Sequence, residues 1–222
     1  MVILGIDSSD DYLSVGLSSE GRIIFSRSSL PQAQGKTMLH TFILSVLSQA
    51  GHKISDLEGV AVAIGPGSFT GLRVGLAAAK GICWATKLPL AGVSSLMAIA
   101  HCANIAAKEV VAVKDARREE FYFGGFTRLD RGYGQIIPDS IGSAGDIFAL
   151  ADKGYALIGP GIEALAKNPG CPTISDGGYD REGIGGAVAL LGEERLKAGK
   201  VLDLANSIPN YIRVPRPREW KP

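Results

Sequence analysis

The sequence predicts an α/β protein of two lobes, each a mixed sheet flanked by helices, with a cleft between them. Three observations predict it. Each half of the chain opens on an apolar strand that ends on an acid: residues 2–7 end on Asp7, and residues 109–114 run into Asp115. The first half then reads strand, strand, strand, helix, strand, helix, strand, helix, an order that gives a mixed sheet covered by helices. The second half repeats that theme more weakly, which points to a duplicated unit. The boundary falls near residues 104–108, dividing the chain into an N-terminal lobe of residues 1–106 and a C-terminal lobe of residues 107–222.

Residues 2–7 form a continuous apolar run, as a buried strand does. The polar turn Asp7-Ser8-Ser9-Asp10-Asp11 leads into residues 12–18, where Leu13, Val15 and Leu17 alternate onto one face. Glu20-Gly21 turns the chain, and residues 22–29 make the third strand of an antiparallel meander. Residues 36–50 carry Met38, Leu39, Phe42, Ile43, Val46, Leu47 and Ala50 as a helix that Gly51 ends. Residues 59–64 are a strand, followed by Gly65-Pro66-Gly67-Ser68-Phe69-Thr70-Gly71 and a proline-free helix over residues 72–86. Three glycines, a proline and two hydroxyls describe a tight strand-to-helix turn, with Ser68 or Thr70 as the helix cap. A strand around residues 88–91 and a helix capped by Ser94 or Ser95, running to about Asn104, complete the first half. The second half is expected to hold strands over residues 119–127 and 132–137 and a helix over 144–151. A strand over 155–158 closing on Gly159-Pro160-Gly161, a helix over 183–198 and a last strand over 207–214 follow.

A chain of 222 residues has no need of covalent staples, because a fold of that size buries roughly 70% of the surface its unfolded form exposes. Net charge is +1, so no global field favours nucleic acid or an acidic partner. Cys83, Cys102 and Cys171 are odd in number and far apart, which argues against a disulfide framework or a zinc site and fits a reducing cytosol. The N-terminal apolar run lacks a basic leader and stops at Asp7, and no run is long enough to span a bilayer. A cytoplasmic protein without membrane attachment is expected.

Asp7-Ser8-Ser9 sits at the tip of a buried strand, the place where phosphotransferase folds turn hydroxyls and backbone amides toward phosphates. A plain polar hairpin is the competing reading. The loop holding Gly65, Gly67, Ser68 and Thr70 aims backbone donors and a positive helix end at one point, which suits an anion. This reading admits ATP or ADP as a ligand but requires no cofactor. Asp115-Ala116-Arg117 takes the matching place in the second half. A phosphate hairpin needs small residues after the acid so that backbone N–H groups reach the anion. Here Arg117, Arg118, Glu119 and Glu120 follow, which predicts a cleft whose catalytic half has been filled or repurposed. Gly35-Lys36-Thr37 imitates the end of a P-loop, but Leu30 stands where its first glycine belongs. His40, His52 and His101 lack metal-ligand spacing, and no serine sits in a GxSxG turn. No catalytic residue and no metal site is assigned.

The helix over residues 72–86 carries Arg73 and Lys80, with Lys87 continuing the series. A seven-residue spacing is almost two turns, so these charges form one narrow stripe. The remaining surface is apolar or small, and a single lobe buries only one face of such a helix. Its excess calls for a second cover, either another part of the chain or, as favoured here, a partner packed closely on small residues. With the preceding helix it offers Met38, Phe42, Val46, Gly71, Arg73, Val74, Gly75, Ala78, Lys80 and Ile82 as the partner face. The basic, proline-spaced end, residues 213–222 with Trp220, reads as a loosely ordered tail, with RNA contact as the alternative.

Taken in order, Ile3-Leu4-Gly5-Ile6-Asp7-Ser8-Ser9, the loop over residues 65–73, Gly92-Val93-Ser94-Ser95-Leu96, Asp115-Ala116-Arg117 and Pro209-Asn210-Tyr211-Ile212-Arg213 resemble the TsaB, or YeaZ, family over nearly the whole chain. The stretch GPGSFTGLR before the apolar helix is the most specific of these. The resemblance implies the two-lobed actin/hexokinase-like (ASKHA) fold shared with the sugar kinases. It also implies a non-catalytic subunit of the machinery that makes threonylcarbamoyladenosine beside the anticodon of tRNAs reading codons that begin with A. The implied partners are the catalytic paralogue TsaD, packed against the N-terminal-lobe helices, and the ATPase TsaE, with a homodimer as a further state and tRNA met through the complex. Gly35-Lys36, where many members start the first helix with histidine, and the arginine- and proline-rich end depart from the family pattern. The alternative is a weak nucleotide-dependent ATPase or phosphotransferase using Asp7 and Ser9.

Overall fold

The computed structural model describes residues 1–29, 39–172 and 178–213. Gly35-Lys36, Met38 and the tail with Trp220 lie outside the described residues.

Five strands make the first sheet: β1 (Ile3–Asp7), β2 (Ser14–Ser19), β3 (Arg22–Ser28), β4 (Gly59–Gly65) and β5 (Leu90–Ser94), in the order β3-β2-β1-β4-β5. Tight turns make β1, β2 and β3 antiparallel, whereas β4 and β5, each reached through a helix, run parallel to β1. Helices α1 (Leu39–Gln49) and α2 (Phe69–Thr86) cover one face of this sheet. Their apolar stripes, including Ile43, Val46, Leu76, Ala79 and Cys83, close on Leu4, Ile6, Val60 and Val62. The short helix α3 (Ser95–His101) follows β5.

The second sheet holds β6 (Glu109–Asp115), β7 (Glu120–Arg128), β8 (Tyr133–Ser143) and, after helix α4 (Ala144–Ala151), β9 (Ala156–Ile158). Its order, β8-β7-β6-β9, and its strand directions repeat the first four positions of the first sheet. The duplication read from the two aspartate-ending strands is therefore present, and among the described residues the second copy has no fifth strand. A short helix α5 (Ile162–Leu165) and a long one, α6 (Ile184–Lys197), are the last helices among the described residues. Pro138 is accommodated within β8 because that strand is the edge of its sheet.

The lobes exchange helices. α3 packs on β6, β7 and β8, while α6 crosses the open face of the first sheet. The expected boundary falls in the loop between α3 and β6, so the last long helix of the chain rests on the sheet formed by its beginning. Small residues permit this: a Cβ at Gly16 would lie 2.3 Å from the Gly186 nitrogen, and one at Gly5 2.3 Å from that of Ala189. Helix backbone thus lies directly on strand backbone. The resulting core is continuous between the lobes, joining Ile3, Ala61 and Val93 to Val188, Leu96, Val110 and Phe126.

Three local expectations are corrected. α3 ends at His101 rather than near Asn104, because its capping carbonyls are met by the Cys102 and Ala103 amides. Ser68 is the cap of α2, accepting from the Gly71 amide at 3.3 Å, and Thr70 lies inside the helix. Residues 207–213 form no strand: they run as an extended strap whose Asn210 amide bonds to the Ile64 carbonyl at 2.7 Å. Among the described residues no helix is long and apolar enough to cross a membrane.

Candidate functional site: the interlobe cleft and the outer faces of α1 and α2

The turn after β1 and the loop before α2 fold against each other. The Ser68 amide donates to the Ser9 carbonyl at 2.8 Å, Ser8 Oγ to the Gly71 carbonyl at 2.8 Å, and the Ser9 amide to Asp7 Oδ1 at 2.7 Å. Contact this close needs residues without side chains. A Cβ at Gly71 would stand 1.9 Å from the Ser8 carbonyl oxygen, and one at Gly75 2.2 Å from Ser8 Oγ. Donors that the sequence offers to a phosphate are thus engaged inside the chain. Asp7, Ser8 and Ser9 are all buried.

A residue that sequence reasoning passed over completes this arrangement. Lys114, at the end of β6, is 4% exposed, and its Nζ donates to Ser9 Oγ at 2.7 Å and to the Ser9 carbonyl at 3.0 Å. Asp10 Oδ2 lies 3.8 Å away. An ammonium from the second lobe is therefore buried in the polar turn of the first. Its signal was present, since a lysine closing the apolar run Val110–Val113 has no ready place in a buried strand, but its partners lie about a hundred residues earlier. Ser94 and Ser95 add further ties. Ser94 Oγ caps α3 and donates to Asp139 Oδ2 at 2.6 Å, and Ser95 Oγ donates to the Pro66 carbonyl. Burial raises the Asp139 carboxyl above its ordinary range, against the lowering effect of bonds from Ser94 and Gln135.

Arg117 and Arg118 do not fill the cleft, contrary to expectation. They stand exposed on its rim because the hairpin between β6 and β7 turns outward through three successive left-handed residues, Arg117, Arg118 and Glu119 (φ 63°, 59° and 62°). Among the described residues, cavities of about 770 and 350 Å³ share Gly67, Ser68, Asp115 and Arg117 in their walls. The strap frames the larger one. Tyr211 meets the Phe69 ring at 5.1 Å and takes a bond from Arg73 Nε at 2.9 Å, while Arg213 reaches the Ala116 carbonyl at 2.9 Å and Glu120. Gly159-Pro160-Gly161 proves to be a turn packed on β6, with a Cβ at Gly161 falling 2.9 Å from Lys114 backbone.

The helix faces divide sharply. Val46, Gly71 and Gly75, expected on the partner face, are instead buried in the chain's own packing. Phe42, Val74, Ala78 and Ile82 are half-buried against the same core, and Lys80 Nζ bonds to the Ser207 carbonyl at 2.7 Å. The returning strap therefore supplies part of the second cover. The face left open comprises Leu44 on α1 and Ala77, Gly81 and Trp84 on α2, with Trp84 71% exposed, while Phe69 and Arg73 are exposed but touch Tyr211 of the strap.

Among the described residues no group of three His, Cys, Asp or Glu side chains could hold a metal. His101 is a structural clip: Nδ1 lies 3.1 Å from the Met97 carbonyl and Nε2 accepts from the Tyr133 amide at 3.4 Å. Burial lowers its pKa, against the raising effect of the Met97 bond. Burial pushes the Cys83 thiol up to about 11 and, with Asp180 and Asp7 nearby, that of Cys102 to about 12, so neither is a reactive thiolate.

A family model described as TsaD, tRNA N6-adenosine threonylcarbamoyltransferase, matches residues 34–214. The chain is similar to the tRNA threonylcarbamoyladenosine biosynthesis protein TsaB of Bacillus subtilis, 30% identical over 225 residues that cover 96% of this chain and 95% of that protein. The protein of the same name from Escherichia coli is 34% identical over 134 residues, 60% of this chain and 58% of its own length. In fold it is similar to the YeaZ structure from Pseudomonas aeruginosa, with a TM-score of 0.76 at 22% identity over 95% of this chain and 99% of that one. With its duplicated sheets and helices exchanged across a cleft, this chain has the two-lobed actin/hexokinase-like architecture and belongs to the TsaB (YeaZ) family.

Proposed function

We propose that the chain acts in the synthesis of threonylcarbamoyladenosine in tRNA as a non-catalytic subunit, binding a TsaD-type transferase through the outer faces of α1 and α2. The relatives' names supply the pathway. The observation that carries the role is the open stripe of Ala77, Gly81 and Trp84 on α2, two small residues and a large exposed ring, with Leu44 exposed on the neighbouring helix α1. Such a stripe lets a second helix pair approach closely, and its large exposed side chains gain by burial. In this reading a TsaE ATPase joins the assembled pair, and a homodimer through the same helices is the state of the chain without its partner. The Ser8 hydroxyl, the Ser9 and Ser68 amides and the Lys114 ammonium bond within the chain around the Asp7 turn, which supports the reading of a subunit that does not itself hydrolyse nucleotide.

The test is co-purification with the TsaD and TsaE proteins of the same source. Gly75 is unsuited to it, because any side chain there collides with Ser8 and damages the fold itself. Ala77→Arg and Gly81→Arg project into open space and leave the core untouched. Each is expected to weaken capture of the transferase at least tenfold with an unchanged unfolding midpoint. Undiminished capture by both variants refutes the interface.

A further inference from the structure

We propose that the larger cavity is a contact site for single-stranded RNA, in which Arg117 and Arg118 hold phosphate and the rings of Tyr122 and Tyr211 receive a base. The assignment rests on the reading above that the chain serves tRNA modification, and it adds a direct contact to that reading.

The backbone makes the first argument. Three consecutive residues at positive φ form the hairpin, a conformation in which a Cβ is crowded and which glycine or asparagine adopts most readily. A hairpin that only joined two strands would be better served by those residues. This one carries two arginines and a glutamate, and packing does not require them, since the Arg117 side chain is 76% exposed. Backbone strain kept at the edge of a cavity is characteristic of functional positions.

Charge and shape make the second. Asp115 and Glu120 also line the cavity, but each already faces an arginine, Arg117 at 3.3 Å and Arg213 respectively. Among the described residues neither Arg118 nor Glu119 has an ion pair or hydrogen bond, but only Arg118 lines the cavity, so one guanidinium fork is left over at its wall. The Arg117 pair is a surface contact of little strength that a phosphate can displace. Arg213 braces the hairpin by holding the Ala116 carbonyl. Guanidinium forks match phosphate oxygens, and the neighbouring rings of Phe69, Tyr122 and Tyr211 provide the flat apolar surfaces on which unpaired bases stack. These cations stand on an open rim, and the amides of Ser9 and Ser68 are engaged within the protein. Two of the amides that a cradle for a free triphosphate would use are therefore taken, whereas a phosphodiester passing the rim finds its donors in place.

The experiment compares the full chain with the double variant Arg117→Gly/Arg118→Gly, measuring unfolding temperature and binding to an unmodified tRNA transcript across a salt series. Glycine relieves the left-handed strain, so the variant is expected to melt at or above the wild-type temperature while its affinity falls at least tenfold. The slope of log affinity against log salt is expected to shrink by about 1.5, the loss of roughly two phosphate contacts to a single strand. A variant that melts lower, tRNA affinity that is unchanged, or a wild-type chain that binds no tRNA each overturns the proposal. Competition by AMP or ATP at concentrations comparable to the RNA also overturns it, assigning the cavity to a free nucleotide. Cells depleted of their own homologue separate this failure from that of the parent reading. If the wild-type chain restores no modified tRNA, both fall. If wild type and double variant restore it equally, only the cavity assignment falls.

Discussion

The same substitution, glycine to alanine, is expected to act in opposite directions at two positions of α2. At Gly71 the new methyl would sit 1.9 Å from the Ser8 carbonyl oxygen and 3.1 Å from its carbon. That is about 1.5 Å short of ordinary contact, so α2 and the β1–β2 turn must separate. Overpacking of this kind costs about 1–3 kcal/mol. The separation also weakens the Ser8–Gly71 and Ser68–Ser9 hydrogen bonds, each worth about 1 kcal/mol. Alanine returns about 1 kcal/mol of helix propensity. The balance is a destabilisation of about 2–3 kcal/mol for Gly71→Ala. At Gly81 nothing lies within 4 Å of the added methyl, so propensity acts alone. Gly81→Ala should then be more stable by about 1 kcal/mol, or roughly 2–4 °C in a chain of this size. Urea unfolding with a shared m-value measures both. Two changes of the same sign, or a neutral Gly71→Ala, would refute the claim that the glycine stripe divides into an internal half and an outer half.

Two pH effects follow from buried groups. His101 has a depressed folded pKa, so the unfolded chain binds its proton first. Its contribution is complete above the ordinary histidine value of 6.5 and falls as pH drops below it, with a limiting slope of about 1.4 kcal/mol per pH unit. Denaturant titrations from pH 7.5 to 5 should show that slope in the wild type and its absence in His101→Gln. Glu193 is buried beneath the β2–β3 turn and holds Ser18, the Gly21 amide and Lys197. Burial raises its pKa, but those bonds and the lysine outweigh it and the net shift is downward. Its stabilisation is present above the ordinary value of 4.5 and is lost as pH falls through the lower folded pKa. Glu193→Gln should cost about 2 kcal/mol at pH 7 and flatten the acid limb of the stability curve below pH 4.5, and a profile unchanged from wild type contradicts this.

Much of the scaffold was legible because its signals are local. The aspartate-ending strands, the alternation of Leu13, Val15 and Leu17, and the capped turn at Ser68 each depend on neighbours a few residues away. The site was less legible. Gly71 and Gly75 read as small residues left open for a partner, yet they face Ser8, while Ala77 and Gly81 on the same helix remain open. Helical periodicity identifies faces but does not say which one meets the chain's own turn. Arg117 and Arg118 read as obstructing side chains, and only the left-handed backbone turned them out to the rim. Residues 207–214 read as a last strand, but residues 207–213 form a strap that makes a single bond to β4, from the Asn210 amide to the Ile64 carbonyl, and otherwise lies across a helix and a hairpin.

The sequence by itself determined the two mixed sheets, the tight corner at Gly65–Gly71 and the apolar excess of α2, since periodicity and turn chemistry are properties of adjacent residues. Only the tertiary structure decided what the corner does. It placed Lys114 against Ser9 across 105 positions of sequence, closing from within the polar turn that had read as a phosphate loop. It also brought Arg213 to the hairpin that presents Arg117 and Arg118. Such pairings depend on how two sheets and two exchanged helices pack together, and no window of neighbouring residues carries that information.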